Sequence, residues 1–283
     1  WLNADRVMNR ERYNFFGGES YSLHVLLSNY GREAVERPAV RWQLLQKGAP
    51  VRAGETVGEK TVACGEVTEV AYLYFTLPET SEPDTLTLRV EMDYPGGTAM
   101  NSWPVFLYPR PEASHVRIGL YDPCNLFTTL SEVYDVVELT EAEIPGDVDL
   151  VVCSVLTASI RSYLEKGGRV FYLQRGKGGL PVVPVAFWRE GMVRSYPHPV
   201  LEGIEKSVWC DDLRYFSLST DTALDTPRME AEGFGKITPI LRRYDCREWQ
   251  ATDYMAECSC GAGRMIASTL RFEGGMGKEP LFL

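Results

Sequence analysis

The sequence predicts two domains, an all-β sandwich of the immunoglobulin type over residues 1–110 and an α/β domain with a doubly wound sheet over residues 111–283. Three observations carry this. Up to Tyr108 the apolar residues recur at every second position, the mark of strands with one buried and one wet face. A proline-bracketed linker follows, Tyr108-Pro109-Arg110-Pro111-Glu112. Beyond it, unbroken runs of Val, Ile, Leu and Tyr alternate with short helical stretches, as in a sheet covered on both sides.

In the first part, SYSLHVLLSN turns Leu23, Val25 and Leu27 one way and Ser22, His24 and Ser28 the other. Val40, Trp42 and Leu44 repeat the pattern, as do Leu73, Phe75 and Leu77. In TLTLRVEMDY, Leu86, Leu88, Val90 and Met92 alternate with Thr87, Arg89, Glu91 and Asp93. Turn residues separate these runs: Asn29-Tyr30-Gly31, Gln46-Lys47-Gly48, Pro78 and Pro95-Gly96-Gly97. About seven short strands in about 100 residues, without a helical stretch, describe an immunoglobulin-like sandwich. Trp42 and Trp103 alternate with apolar residues and fall in its core.

In the second part, HVRIGLYD (115–122) reads as an apolar strand ending in a polar turn. A short helix over 128–134 leads to a strand at 135–139, and Asp147-Val148-Asp149 opens another at 150–154. A helix over 157–166 ends at Gly167-Gly168, the usual glycine stop. The strand 169–174 follows, and a last one at 264–269 lies behind the turn Cys260-Gly261-Ala262-Gly263.

Hydrophobic residues make up 45% of the chain and charged residues 24%, enough for a core in each domain. The net charge of −10, acidic in both halves, argues against nucleic acid and anionic membrane as partners. No apolar run reaches the ~18 residues of a membrane helix. The seven cysteines are odd in number and scattered, which fits reduced thiols in a cytoplasmic setting. Cys258-Ser259-Cys260 has no second ligand pair, so neither a metal nor a cofactor is expected. The chain opens on Trp1 with no signal peptide before it and closes on an apolar run, which reads as a piece of a longer protein.

The segment GGRVFYLQRGKGG (167–179) poses the chemical question, because a strand running into a glycine-rich turn is where α/β folds place nucleophiles and phosphate cradles. A phosphate loop needs a Ser or Thr after its lysine, and Gly176-Lys177-Gly178-Gly179 has none. A nucleophile elbow would fall at Gln174 or Arg175, and neither side chain can attack a carbonyl. Cys153 ends the preceding strand and reads as buried. His24 lies on a polar strand face, His115 at the linker, and His198 opens HPVLEGI without an assigned nucleophile. Asp211-Asp212 are neighbours on the chain and point opposite ways in an extended segment, a poor acid and base pair. No catalytic residue is expected.

Several segments, in order, resemble the C-terminal accessory region of family 2 glycoside hydrolases of the β-galactosidase and β-glucuronidase type. YNFFGGESYSLHVLLSNYG (13–31) is similar to the opening of their immunoglobulin-like domains. GGRVFYL (167–173), HPVLEGI (198–204), WCDDLRYFS (209–217) and GAGRMIAST (261–269) resemble their α/β domain, of the flavodoxin or class I glutamine-amidotransferase type and related to trehalose-utilisation folds. The resemblance implies a non-catalytic accessory fragment in bacterial carbohydrate metabolism, in the cytoplasm, serving domain packing, oligomer contacts or the edge of a substrate cleft. The hydrolytic glutamates would lie on an N-terminal catalytic barrel of the parent chain, which needs ~250 residues of its own. An amidotransferase-like or trehalose-utilisation-like enzyme, and an independent carbohydrate-binding module, are the alternatives. Partners are then that barrel, a carbohydrate and further copies of the chain. Aromatic faces beside carboxylates suit sugars, so Trp188, Trp209, Asp211, Asp212 and Tyr215 are the candidate sugar-binding residues.

Overall fold

A computed structural model describes residues 2–3, 13–94, 96–140, 143–176, 178–185, 192–204, 212–245, 247, 249–271 and 280. The chain is mostly β and divides into two compact units, Trp1–Arg110 and Pro111–Leu283.

The first unit holds β1 (Leu2–Asn3), β2 (Asn14–Phe16), β3 (Ser20–Ser28), β4 (Ala39–Gln46), β5 (Ala49–Val57), β6 (Val67–Thr76), β7 (Asp84–Tyr94) and β8 (Gly97–Tyr108). They form a three-stranded sheet, β1-β3-β6, and a five-stranded sheet, β2-β8-β7-β4-β5. Alternation decides what meets between them. Tyr21, Leu23, Val25, Leu73 and Phe75 from one sheet share a core with Val40, Leu44, Leu86, Leu88, Val105 and Leu107 from the other. Trp42 stacks on Phe75, with centroids 4.5 Å apart and rings 14° from parallel. The loop after β3 is held by Asn29, which is buried. Its amide donates to the carbonyls of Glu33 and Val62, each at 3.0 Å, while its oxygen accepts from the Gly31 N–H at 2.9 Å. The period does not reveal strand β5, because Pro50 and Gly54 interrupt it and it pairs on one side only.

The second unit begins with parallel strands: β9 (Arg117–Tyr121), β10 (Asp135–Glu138), β11 (Leu150–Cys153) and β12 (Arg169–Leu173), with α1 (Ala158–Glu165) between β11 and β12. Then come β13 (Val182–Pro184), β14 (Met192–Ser195), α2 (Asp212–Tyr215), β15 (Thr222–Leu224), α3 (Thr226–Ala231), β16 (Gly235–Asp245), β17 (Gln250–Cys260) and β18 (Gly263–Ser268). One sheet runs β10-β9-β11-β12-β18-β17-β15-β13, with β16 on β17 and β14 on β16. The first five are parallel; β18 turns back on β17 antiparallel, and β13 to β17 pair antiparallel throughout.

Thr157 caps α1, its Oγ1 accepting from the Ile160 N–H at 3.3 Å, and the helix stops before Gly167 at φ 107°. Ile160 and Leu164 seat α1 on one face of the sheet, with Val151, Cys153, Val170, Tyr172 and Met265. Each such fully buried aliphatic side chain stabilises by about 1.5–3 kcal/mol. The helix end lies so close that a Cβ on Gly263 would sit 2.1 Å from the Leu164 carbonyl oxygen. Ile118, Leu120, Val152, Phe171 and Tyr254 pack on the other face, under loops and short turns.

Two expectations are corrected here. The helix over 128–134 is a single 3-10 turn, Leu130–Glu132. The helical layers of a doubly wound domain are absent among the described residues, where α1 is the one helix crossing between parallel strands. The sheet instead grows by antiparallel hairpins. Strand β16 escaped the periodic reading because Pro239 sits in it beside a register shift and Arg242-Arg243 breaks the apolar run.

Candidate functional site at the crest of the parallel sheet

The parallel strands are ordered second, first, third, fourth, fifth along the chain. From the first strand, β9, the chain moves to one side; from the third, β11, it moves to the other. The loops leaving their carboxyl ends therefore diverge, and that crevice is where open parallel sheets take ligands. Here it is walled by residues 122–129 and 154–157, with the glycine-rich turn after β12 alongside.

The two walls are laced together. The Cys124 N–H donates to Ser154 Oγ at 3.2 Å, and the Ser154 N–H to the Tyr121 carbonyl at 3.1 Å. Asp122 Oδ2 accepts from the Phe127 N–H at 2.8 Å, while its buried Oδ1 has no hydrogen-bond donor among the described residues. Cys153 has no exposed surface, and burial, then the charge of Asp122, pushes its thiol far above the ordinary range. A thiol so held stays protonated and is no nucleophile. Cys124 is exposed, and the composition of the sequence gave no reason to single it out. What could have found it is the strand order, which is invisible until the strands are paired.

The glycine-rich turn answers the question its sequence poses. Gln174 is buried, and its side chain braces the turn from within. Nε2 donates to the carbonyls of Gly176 at 3.0 Å and Leu180 at 2.9 Å, and Oε1 accepts from the Leu180 N–H at 2.9 Å. The Tyr172 hydroxyl accepts from the Gly179 N–H at 3.0 Å, and burial pushes that phenol up to about 12. A Cβ on Gly178 would lie 2.7 Å from the Tyr172 hydroxyl and 2.8 Å from Gln174 Cδ. The glycines are thus small to admit these two side chains. The Gly179 and Leu180 N–H groups, which a phosphate or an oxyanion would need, are already spent on them.

His198 is likewise engaged. Its Nδ1 accepts from the Val200 N–H at 3.2 Å, capping the 3-10 turn Pro199–Leu201, so the ring proton sits on Nε2, 2.7 Å from Glu257 Oε2. Arg264 stands 3.7 Å from the other oxygen of that carboxylate. A histidine with a backbone donor on one nitrogen and a carboxylate on the other has no lone pair to take a proton from a nucleophile.

Among the candidate sugar residues, Trp188, Trp209 and Asp211 lie outside the described residues, as does the Asp212 side chain. Tyr215 is packed in the core of the second unit, 4% exposed, beside Leu218 and Tyr254. Cys258 is buried, its thiol pushed up to about 12, and no cluster of three metal-ligating side chains occurs among the described residues. No described helix is long and apolar enough to cross a membrane. In the first unit, a shallow groove of about 420 Å³ lies over Gln43, Ala53 and Glu55, and the ion pairs of Arg41 and Arg89 with Glu91 line its side.

Comparisons with known proteins give the following. Residues 19–109 match a family model described as a domain of unknown function, DUF8488. No curated protein matches the chain. Among solved structures, the sporulation control protein Spo0M of Bacillus subtilis is 19% identical, with 36% of this chain on 47% of that one at a TM-score of 0.29. A β-glucuronidase of Parabacteroides merdae is 15% identical over 57% of this chain and 22% of its own, at 0.25. A calcium-binding mutant of Bacteroides uniformis β-glucuronidase 2 is 10% identical over 65% and 23%, at 0.28. The chain thus spans less than half of the first and less than a quarter of the other two. Scores of this size do not establish a common fold.

Proposed function

We propose that this chain is a non-catalytic accessory piece of a carbohydrate-active enzyme of the family 2 glycoside hydrolase type. Its first unit is an immunoglobulin-like sandwich, and its second a degenerate relative of the amidotransferase-type domain, with hairpins where helices would be. It works through domain packing, oligomer contacts or one edge of a substrate cleft, in the bacterial cytoplasm, beside a catalytic barrel encoded ahead of it.

One observation carries the non-catalytic reading: the crest of the parallel sheet is closed on itself. Its Gly179 and Leu180 amides are taken by Tyr172 and Gln174, its buried thiol is held protonated, and His198 has both ring nitrogens occupied. Supporting the carbohydrate context is the ordered run of sequence segments similar to that hydrolase family. The test is an assay of the purified chain on aryl glycosides and on glutamine. The expected result is no turnover above buffer. Turnover that persists through purification and vanishes in Cys124→Ala or His198→Ala would overturn the proposal, as would an upstream coding sequence without a barrel.

A further inference from the structure

The outer face of the three-stranded sheet carries a pair of aromatic rings that the sandwich does not need. Strands β3 and β6 pair Ser22 with Tyr74, His24 with Tyr72 and Ser20 with Thr76. Alternation sends Tyr21, Leu23, Val25, Leu73 and Phe75 inward, so these six point out. Tyr72 is 54% exposed and Tyr74 65%, far above what a core or an internal seam would leave. Two positions apart on one strand, they stand about 7 Å from each other along it.

Both rings are held in place. The Tyr74 hydroxyl donates to Ser20 Oγ at 3.2 Å, so the ring leans diagonally across β3 with a broad side open. The His24 ring packs against Tyr72, centroids 4.9 Å apart at 50°, and His24 Nδ1 is anchored 3.0 Å from Glu69 Oε1. Such rings lose little freedom when something stacks on them.

The chemistry around them selects what stacks. Neither strand holds a lysine or arginine, so a nucleic acid would find aromatic stacking without the cations its backbone requires. Around the two rings the outward side chains are polar, and the aliphatic Leu26 and Val67 stand at the far end of the strands beside Glu69 and Ser28, whereas the centre of a protein interface is apolar. The face offers ring surfaces fringed by the hydroxyls of Ser20, Ser22 and Thr76, and its one carboxylate, Glu69, lies against the His24 ring. That complements a neutral ligand with C–H faces and hydroxyl edges. We infer that the outer face of β3 and β6 binds a neutral glycan chain, two neighbouring pyranose rings each resting on one of Tyr72 and Tyr74. This stands independently of the closed crest in the other unit, and its failure would leave that argument untouched.

The experiment is affinity electrophoresis of the whole chain in gels containing mixed-linkage β-glucan, xylan, galactomannan or amylose. Retardation by at least one of them is expected, and it persists at high salt because no ion pair is involved. Tyr72→Ala with Tyr74→Ala weakens it by about tenfold or more, as loss of central aromatic contacts does, while Tyr72→Phe with Tyr74→Phe keeps most of it. Each single alanine variant, at an exposed position and checked for an unchanged melting curve, gives an intermediate loss. No retardation in any gel, retardation indifferent to the double alanine variant, or retardation abolished by salt overturns the inference. So does a dimer by light scattering that the double variant dissolves, which would make the occupant a second copy.

Discussion

Replacing Gln174 by methionine tests the brace inside the glycine-rich turn. Methionine nearly conserves volume, so the change isolates the three hydrogen bonds rather than opening a cavity. Two of them end on the buried N–H and carbonyl of Leu180 and one on the partly buried Gly176 carbonyl. A buried backbone group left unpaired costs about 1–3 kcal/mol, and the Gly176 carbonyl less because water reaches it, so the loss should be about 3 kcal/mol. The assay is hydrogen exchange at the Leu180 amide, where such a loss lowers protection about 100-fold. Gln174→Glu should fare no better at neutral pH, since a carboxylate can accept from Leu180 but cannot donate to either carbonyl. A change below about 1 kcal/mol in Gln174→Met would show that the turn holds its shape without the glutamine and would refute the argument that its amides are occupied.

Three further outcomes follow from the geometry. Asp253 has no exposed surface and rests on the Arg242 guanidinium through bonds of 2.7 and 2.9 Å, with Thr226 Oγ1 at 3.3 Å. Arg242→Ala strands a buried charge and should cost about 3–5 kcal/mol in denaturant unfolding, and Arg242→Lys should restore only part because it lacks the planar fork. The Asp93 carboxylate is held at about 2, first by the hydrogen bond from Arg41 and then by that from Thr98. Its contribution is therefore present above the usual carboxylate value of about 3.9 and lost as pH falls through about 2, and carboxyl NMR should show Arg41→Ala moving the midpoint upward. In native protein treated with iodoacetamide, Cys64 and Cys124 should react while Cys153 and Cys258 stay unlabelled until denaturant is added, read by mass spectrometry of peptides.

The elements legible in the sequence are those whose signal is local. The Leu86–Met92 alternation, the helix at 157–166 with its glycine stop, and the apolar runs at 117–121 and 150–153 each depend on a few adjacent residues. Strands β16 and β17 were not legible, because their pairing is set by each other and by β18, and Pro239 with two arginines hides the period. At the crest, the sequence placed Gln174 where a nucleophile would stand and excluded it on chemical grounds. That the same glutamine fills the turn could not be read there, since its partners Gly176 and Leu180 act through backbone groups common to every residue. The Glu257 partner of His198 lies 59 residues on and is joined to it only by the fold.

Strand β18 occupies the seam where the sheet changes direction, parallel to β12 and antiparallel to β17. During synthesis, β12 leaves the ribosome long before Gly263 appears, so its edge waits unpaired while the intervening hairpins are made. That edge belongs to the apolar run Val170–Leu173, a ready template for a stray strand from another nascent chain. Vulnerability to misassembly is therefore concentrated in the interval before the last hairpin closes, and a chaperone acting on this chain would be needed most at that moment.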